Sequence, residues 1–221
     1  MKKWSALALC VLGVGCGASS STIPSNPTGP MTFFVSSTTS VTGNLGGLRG
    51  ADATCQQLAT AAGAGGHTWR AYLSAERDPD NGGKPVDARS RIGAGPWRDA
   101  NGVLIARNLD ELHSRTGDAS LFVDETGRRI NGQWPGSPAP VQHDILTGSE
   151  ADGTLIPGKT CNDWTSQSTA VSARVGHSDG LGPGGSTAGG LSSWNSAHDN
   201  ESCANTAPRG GAGRIYCFAR N

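Results

Sequence analysis

GLRGADATCQQLATAAGAGGHTWRAYLS, residues 47–74, reads as a turn, a helix and a strand in immediate succession. Asp52 is placed to cap the helix, whose apolar face runs through Ala53, Leu58, Ala61 and Ala62, with Cys55 on its first turn. Gly63, Gly65 and Gly66 end it, because glycine reaches left-handed dihedrals without a Cβ clash. Trp69, Ala71 and Leu73 then alternate with Arg70, Tyr72 and Ser74, a period-two strand pattern. The other cysteines of the domain are expected to be arranged around Cys55.

Outward from this stretch, Met31–Val35 (MTFFV) is the first apolar run and reads as the first strand. At the other end Ile215, Cys217 and Ala219 alternate with Tyr216 and Phe218, a terminal strand over 214–219. Leu121–Val123 and the start of 143–153 (HDILTGSEADG) read as further short strands, and a short buried element is expected in 91–97. Between them, Asp-Pro, Asn-Gly-Gly and Lys-Pro steps mark 76–89 as an exposed loop, and 176–190 is Gly/Ser-rich. No internal repeat is visible.

With 221 residues, 33 of them glycine, and only 5% aromatic and 16% charged residues, the chain has the make-up of one loop-rich domain with appendages rather than a helical bundle. Lys plus Arg equals Asp plus Glu, and no basic run stands out, so a nucleic-acid partner is not expected.

Residues 1–16 read as a targeting segment. Lys2 and Lys3 precede an apolar run, Ala6–Val14, too short to span a bilayer. Gly15-Cys16 then resembles a bacterial lipobox, which would lipidate Cys16. Gly13 stands where leucine is usual, and Cys10, behind the bulky Leu9, fits less well. The alternative is an ordinary secretory signal cleaved near Gly17 or Ala18. Residues 17–30 read as a flexible tether and 31–221 as the domain. Either way the domain is expected to be exported, in the cell envelope as an outer-membrane lipoprotein or secreted, with the lipid as its only membrane attachment.

Four cysteines remain outside that segment: Cys55, Cys161, Cys203 and Cys217. They allow three pairings, and spacing does not choose between them. No pair has the C-x-x-C spacing of a zinc site.

The 47–74 run is similar to the start of the endostatin domain of collagen, with its Arg-Gly-Ala-Asp, helix cysteine and Arg-Ala-Tyr/Phe-Leu-Ser pattern. Asn108-Leu109 with Asp110-Glu111-Leu112, Gly148-Ser149 with Asp152-Gly153, Cys161-x-x-Trp164 and Ile215-x-Cys217 resemble later segments of that domain in order. The resemblance implies an α+β, C-type-lectin-like (endostatin-like) single domain with long loops and two disulfides. It also implies that Cys55 pairs with Cys217 and Cys161 with Cys203. In a chain-entropy estimate such loops contribute roughly 5 and 4 kcal/mol, upper figures for real proteins.

The resemblance raises a calcium-dependent sugar site, but lectins place a Trp-Asn-Asp tripeptide where this chain has His198, Asp199 and Asn200 before Cys203. Asp199, Asn200 and Glu201, with Glu150 or Asp152, offer oxygens for calcium; a solvated polar loop is the preferred reading. Endostatin's zinc histidines lie near its N-terminus, and this chain has none before His67. His67, His113, His143, His177 and His198 lack i, i+4 spacing and read as independent, so no metal is assigned. His143-Asp144 and His177-Ser178-Asp179 suggest triad members, yet no Gly-x-Ser-x-Gly elbow accompanies them, so no enzyme activity is expected.

Among the tryptophans, Trp69 and Trp164 are read as core. Trp97, Trp134 and Trp194 lie in Gly/Pro-rich loops, where each either anchors a ligand or packs its loop onto the domain. The expected function is a non-catalytic recognition module for extracellular glycan or matrix-type protein, with contacts from 76–98, 176–190 and 194–200. The ligand-binding set is Trp97, Trp134, Trp194, Asp199, Asn200 and Glu201. A structural envelope protein and a secreted hydrolase are the alternatives.

Overall fold

The computed structural model describes Met1 and residues 29–220. The segment carrying Cys16 and the tether up to residue 28 lie outside them. In chain order the elements are β1 (Phe33–Val35), α1 (Gly47–Ala61), β2 (Thr68–Ala71), β3 (Ala75–Asp78), β4 (Lys84–Val86), α2 (Ala88–Arg91), β5 (Trp97–Arg98), β6 (Leu104–Ala106), α3 (Leu109–His113), β7 (Asp144–Leu146), β8 (Arg174–His177), β9 (His198–Asp199) and β10 (Gly211–Arg220). This is a mixed α/β domain.

The ten-residue β10 organises the sheet. It pairs antiparallel with β1 and β2 through its second half and parallel with β7 through its first, and β8 and β9 extend the sheet antiparallel beyond β7. Because side chains alternate across a strand, β10 serves two cores. Ile215, Cys217 and Ala219 join Phe34, Cys55, Trp69 and Trp164 on the α1 side. Tyr216 and Phe218 join Phe33, Trp97, Phe122 and Trp194 on the other. The chain therefore buries large side chains on both faces of its longest strand.

Disulfides join Cys55 to Cys217 and Cys161 to Cys203, the pairing that the resemblance implies. The first ties α1 to β10. The second holds an unusual turn: Cys161, Asn162, Asp163 and Trp164 all have left-handed backbone, φ 49 to 64°. Such a conformation costs roughly 1–2 kcal/mol per residue. Its surroundings fix it: the Trp164 indole N–H donates to the Ser74 carbonyl, and Asp163 accepts from the Glu76 and Arg77 backbone N–H groups.

The opening helix differs from its sequence reading. It starts at Gly47, so Cys55 sits past its middle and Asp52 is an interior residue rather than a cap. Its buried face is Leu48, Ala51, Asp52, Cys55 and Ala59, with Ala53, Ala61 and Ala62 exposed. Asp52 instead anchors the strand that follows. Its Oδ1 accepts the Ala71 N–H at 2.8 Å, and its Oδ2 takes Arg70 and Arg91, each at 2.7 Å. Leu121–Val123 is not a strand; only Val123 there is bridged, to Arg129. The 76–98 segment is not a free loop, since it contains most of β3, all of β4 and α2, and β5. Among the described residues no helix is long and apolar enough to cross a membrane.

Candidate metal centre

Strand pairing brings together side chains that are 55 residues apart in the chain. Asp144 opens β7 and lies directly across from His177, the last residue of β8. His143 precedes Asp144. His198 lies on β9, which pairs with β8 through Val175. The close approach of 194–195 to β8 needs Gly176: a Cβ there would stand 1.9 Å from the Trp194 carbonyl oxygen.

Three imidazoles converge on one carboxylate. His143 Nε2 and His177 Nε2 each lie 3.3 Å from Asp144 Oδ1, and His198 Nε2 lies 3.5 Å from Oδ2. His143, Asp144 and His177 are buried; the His198 side chain is 23% exposed and forms the mouth. The His143 and His177 rings stack at 4.4 Å, only 7° from parallel. Each ring is oriented from its far side. His143 Nδ1 is 2.7 Å from Asp179 Oδ1, His177 Nδ1 donates to the Leu191 carbonyl at 2.8 Å, and His198 Nδ1 donates to the Asp199 carbonyl at 2.9 Å.

Asp179 carries this order to the surface. Its other oxygen accepts the Gln133 N–H at 2.6 Å, which fixes the loop bearing Trp134. Gly132 makes that possible, because a Cβ there would lie 2.2 Å from Asp179 Oδ2. Burial pushes the Asp179 carboxyl up, but His143 and the backbone N–H bonds outweigh it and hold the group below the usual carboxylate range. Burial opposes a charged His177, yet the Asp144 carboxylate outweighs burial and moves its pKa upward.

The inner edges of this cluster are not hydrogen-bonded. Both Asp144 oxygens and His177 Nε2 are buried without a partner. Among the described residues, the Nδ1 hydrogen bonds of the three rings go to Asp179 and to the Leu191 and Asp199 carbonyls. His143, Asp144 and His177 are close enough together to hold one metal ion. The reading of the histidines as independent is therefore wrong for these three. Each sits at or beside the end of a short strand (HDIL, RVGH, HD), a regularity in the sequence that helical spacing could not reveal.

Residues 38–180 match the family described as Protein of unknown function (DUF1554). The chain belongs to the DUF1554 family. The match takes in His143, Asp144, His177 and Asp179, while His198 lies beyond it. No curated protein matches the chain.

The DUF1554 domain does not gather the sequence-derived ligand set on one face. Trp97 and Trp194 are fully buried: Trp97 packs edge-on against Phe218, and Trp194 sits among Tyr72, Phe122 and Tyr216 with its N–H on the Leu112 carbonyl. They are core, because loop composition says nothing about which ring the sheet covers. Asn200 is buried and structural, accepting from Ala173 N–H and donating to the Ser202 carbonyl. Asp199 faces Lys159 at 2.7 Å and Arg174 at 3.2 Å, so its oxygens are committed to cations of the chain. Glu201 is exposed and pairs loosely with Arg209 at 3.7 Å. These placements do not assemble a calcium site.

Trp134 differs from the others. It is half-buried, its N–H donates to the Ile130 carbonyl, and the Arg129 guanidinium lies 5.4 Å from its ring centroid. Around it Pro135, Gly136 and 138–140 are exposed.

Proposed function

We infer that this is an exported, lipid-anchored, non-catalytic recognition module of endostatin-like, C-type-lectin-like fold, binding extracellular glycan or matrix-type protein. The observation that carries the reading is the Trp134–Arg129 pair. A partly exposed indole on a loop held from beneath by Asp179 supplies a rigid apolar surface with a cation over its ring. Rigid aromatic surface is what sugar faces and protein partners use, because little conformational entropy is lost on contact. Two disulfides support the exported setting, since such bonds persist outside the reducing cytosol. Arg128 and Arg129 are both exposed and extend the cationic edge.

The test is a glycan and matrix-protein array probed with the soluble domain and with Trp134→Ala. Binding that is lost in the variant while its melting temperature stays near that of the parent is the expected result. Uniform absence of binding, or binding indifferent to Trp134 and Arg129, would overturn the reading.

A further inference from the structure

We propose that His143, Asp144 and His177 bind a divalent transition ion of the zinc class, with His198 closing the site at its mouth. The site stands on geometry alone and does not depend on the recognition reading.

The first observation is a set of unpartnered polar atoms. The Leu191 and Asp199 carbonyls only accept hydrogen bonds, so His177 and His198 carry hydrogen on Nδ1 and turn Nε2 toward Asp144, as His143 does, across 3.3–3.5 Å. Two Asp144 oxygens and His177 Nε2 without partners mark the place where something positive belongs.

The second observation is distance. A tetrahedral zinc with bonds of about 2.0–2.1 Å separates its ligand atoms by about 3.3 Å. The separations from Asp144 are 3.3, 3.3 and 3.5 Å. Charge-assisted hydrogen bonds would draw the atoms closer, to about 2.7–2.9 Å.

The third is the outer shell. Metal-bound histidines characteristically donate their second N–H to a carboxylate or backbone carbonyl, which fixes the tautomer and aims the ring. All three rings meet that condition, through Asp179, Leu191 and Asp199. Imidazole and carboxylate together favour zinc-class ions over calcium, which takes a larger set of oxygens.

The ion's place makes its role structural. It would join β7, β8 and the two-residue β9, and through Asp179 it would stiffen the Trp134 loop. The β9 strand is otherwise held by its short pairing with β8, by the ion pairs of Asp199 with Lys159 and Arg174, and by Asn200.

The experiment uses the purified full chain, stripped with EDTA and titrated separately with Zn²⁺ and Ca²⁺. Calorimetry, metal analysis after gel filtration and melting temperature are the readouts. The expected result is about one zinc per chain, with a rise in melting temperature that calcium does not produce. Asp179→Asn, which keeps all the ligands, is expected to weaken zinc about 10–100-fold. His177→Gln removes a ligand and should abolish tight binding. Should that variant fail to fold, His198→Gln, at the partly exposed mouth, must lower zinc affinity while leaving the zinc-free melting temperature unchanged. Zinc that is not retained, that binds equally to parent and variants, or that stabilises no more than calcium does would overturn the proposal.

Discussion

Asp52→Ala removes the group that locks α1 to β2, and its cost can be worked from the contacts. The carboxylate is buried and serves three donors. Arg70 is one-third exposed and turns to water when its partner is lost, a contribution of about 1 kcal/mol or less. Arg91 is 9% exposed and keeps only the Ala71 carbonyl, and stranding a buried charge costs about 3–5 kcal/mol. The orphaned Ala71 N–H falls within that figure, so the total is about 3–6 kcal/mol. For a domain of this size each kcal/mol shifts the melting temperature by about 2–4 °C, so a drop of about 6–24 °C is expected. Urea unfolding followed by tryptophan fluorescence, with EDTA throughout, reads the same quantity at equilibrium. Asp52→Ala combined with Arg91→Met should cost clearly less than the two single changes added together, because the stranded guanidinium is gone. A loss under about 1 kcal/mol for Asp52→Ala, or strict additivity in the pair, would refute the reasoning.

Three further outcomes follow from particular residues. Trp194→Ala should cost about 3–5 kcal/mol and Trp134→Ala markedly less, since only the first empties a sealed core site; equal losses in urea titrations would contradict the burial assigned to them. Burial, aided by Arg89, lowers the His113 pKa against the opposing Leu109 hydrogen bond, so the unfolded chain takes up the proton first. The stability that neutral His113 provides is therefore complete above the unfolded value of about 6.5 and is lost as pH falls from there through the lower folded value, and His113→Gln should flatten the fall in urea midpoint from about pH 7.5 down to pH 5.5 and below. Replacing Cys161 and Cys203 together with alanine should cost up to about 4 kcal/mol and loosen the left-handed turn, seen as faster amide exchange at 161–166; unchanged exchange there would show that the turn does not need the bridge.

The sequence was most readable where one local rule acted alone. Alternation marked β10, and the Gly63 stop marked the end of α1. The disulfide pairing was not in the spacing and came through the resemblance. Asp52 misled because aspartate before an apolar run is a capping signal, whereas here Gly46 in the left-handed region starts the helix and Asp52 meets two arginines, one 18 and the other 39 residues away. Trp97 and Trp194 misled because glycine and proline around a ring describe its backbone and leave its burial to distant strands. The left-handed run at 161–164 had no local signal at Cys161 or Trp164, since after glycine it is asparagine and aspartate that tolerate that conformation. The histidine cluster was hidden for a related reason. Its members meet across β7, β8 and β9, and strand pairing of that range has no period to read.

Convergence of three imidazoles on Asp144 around an ion is tested most directly by anomalous diffraction at the zinc edge from crystals of the zinc-loaded protein. One strong peak is expected at about 2.0–2.1 Å from His143 Nε2, His177 Nε2 and an Asp144 oxygen. A zinc-loaded crystal with no density there, its zinc held instead at surface histidines such as His67, would contradict it.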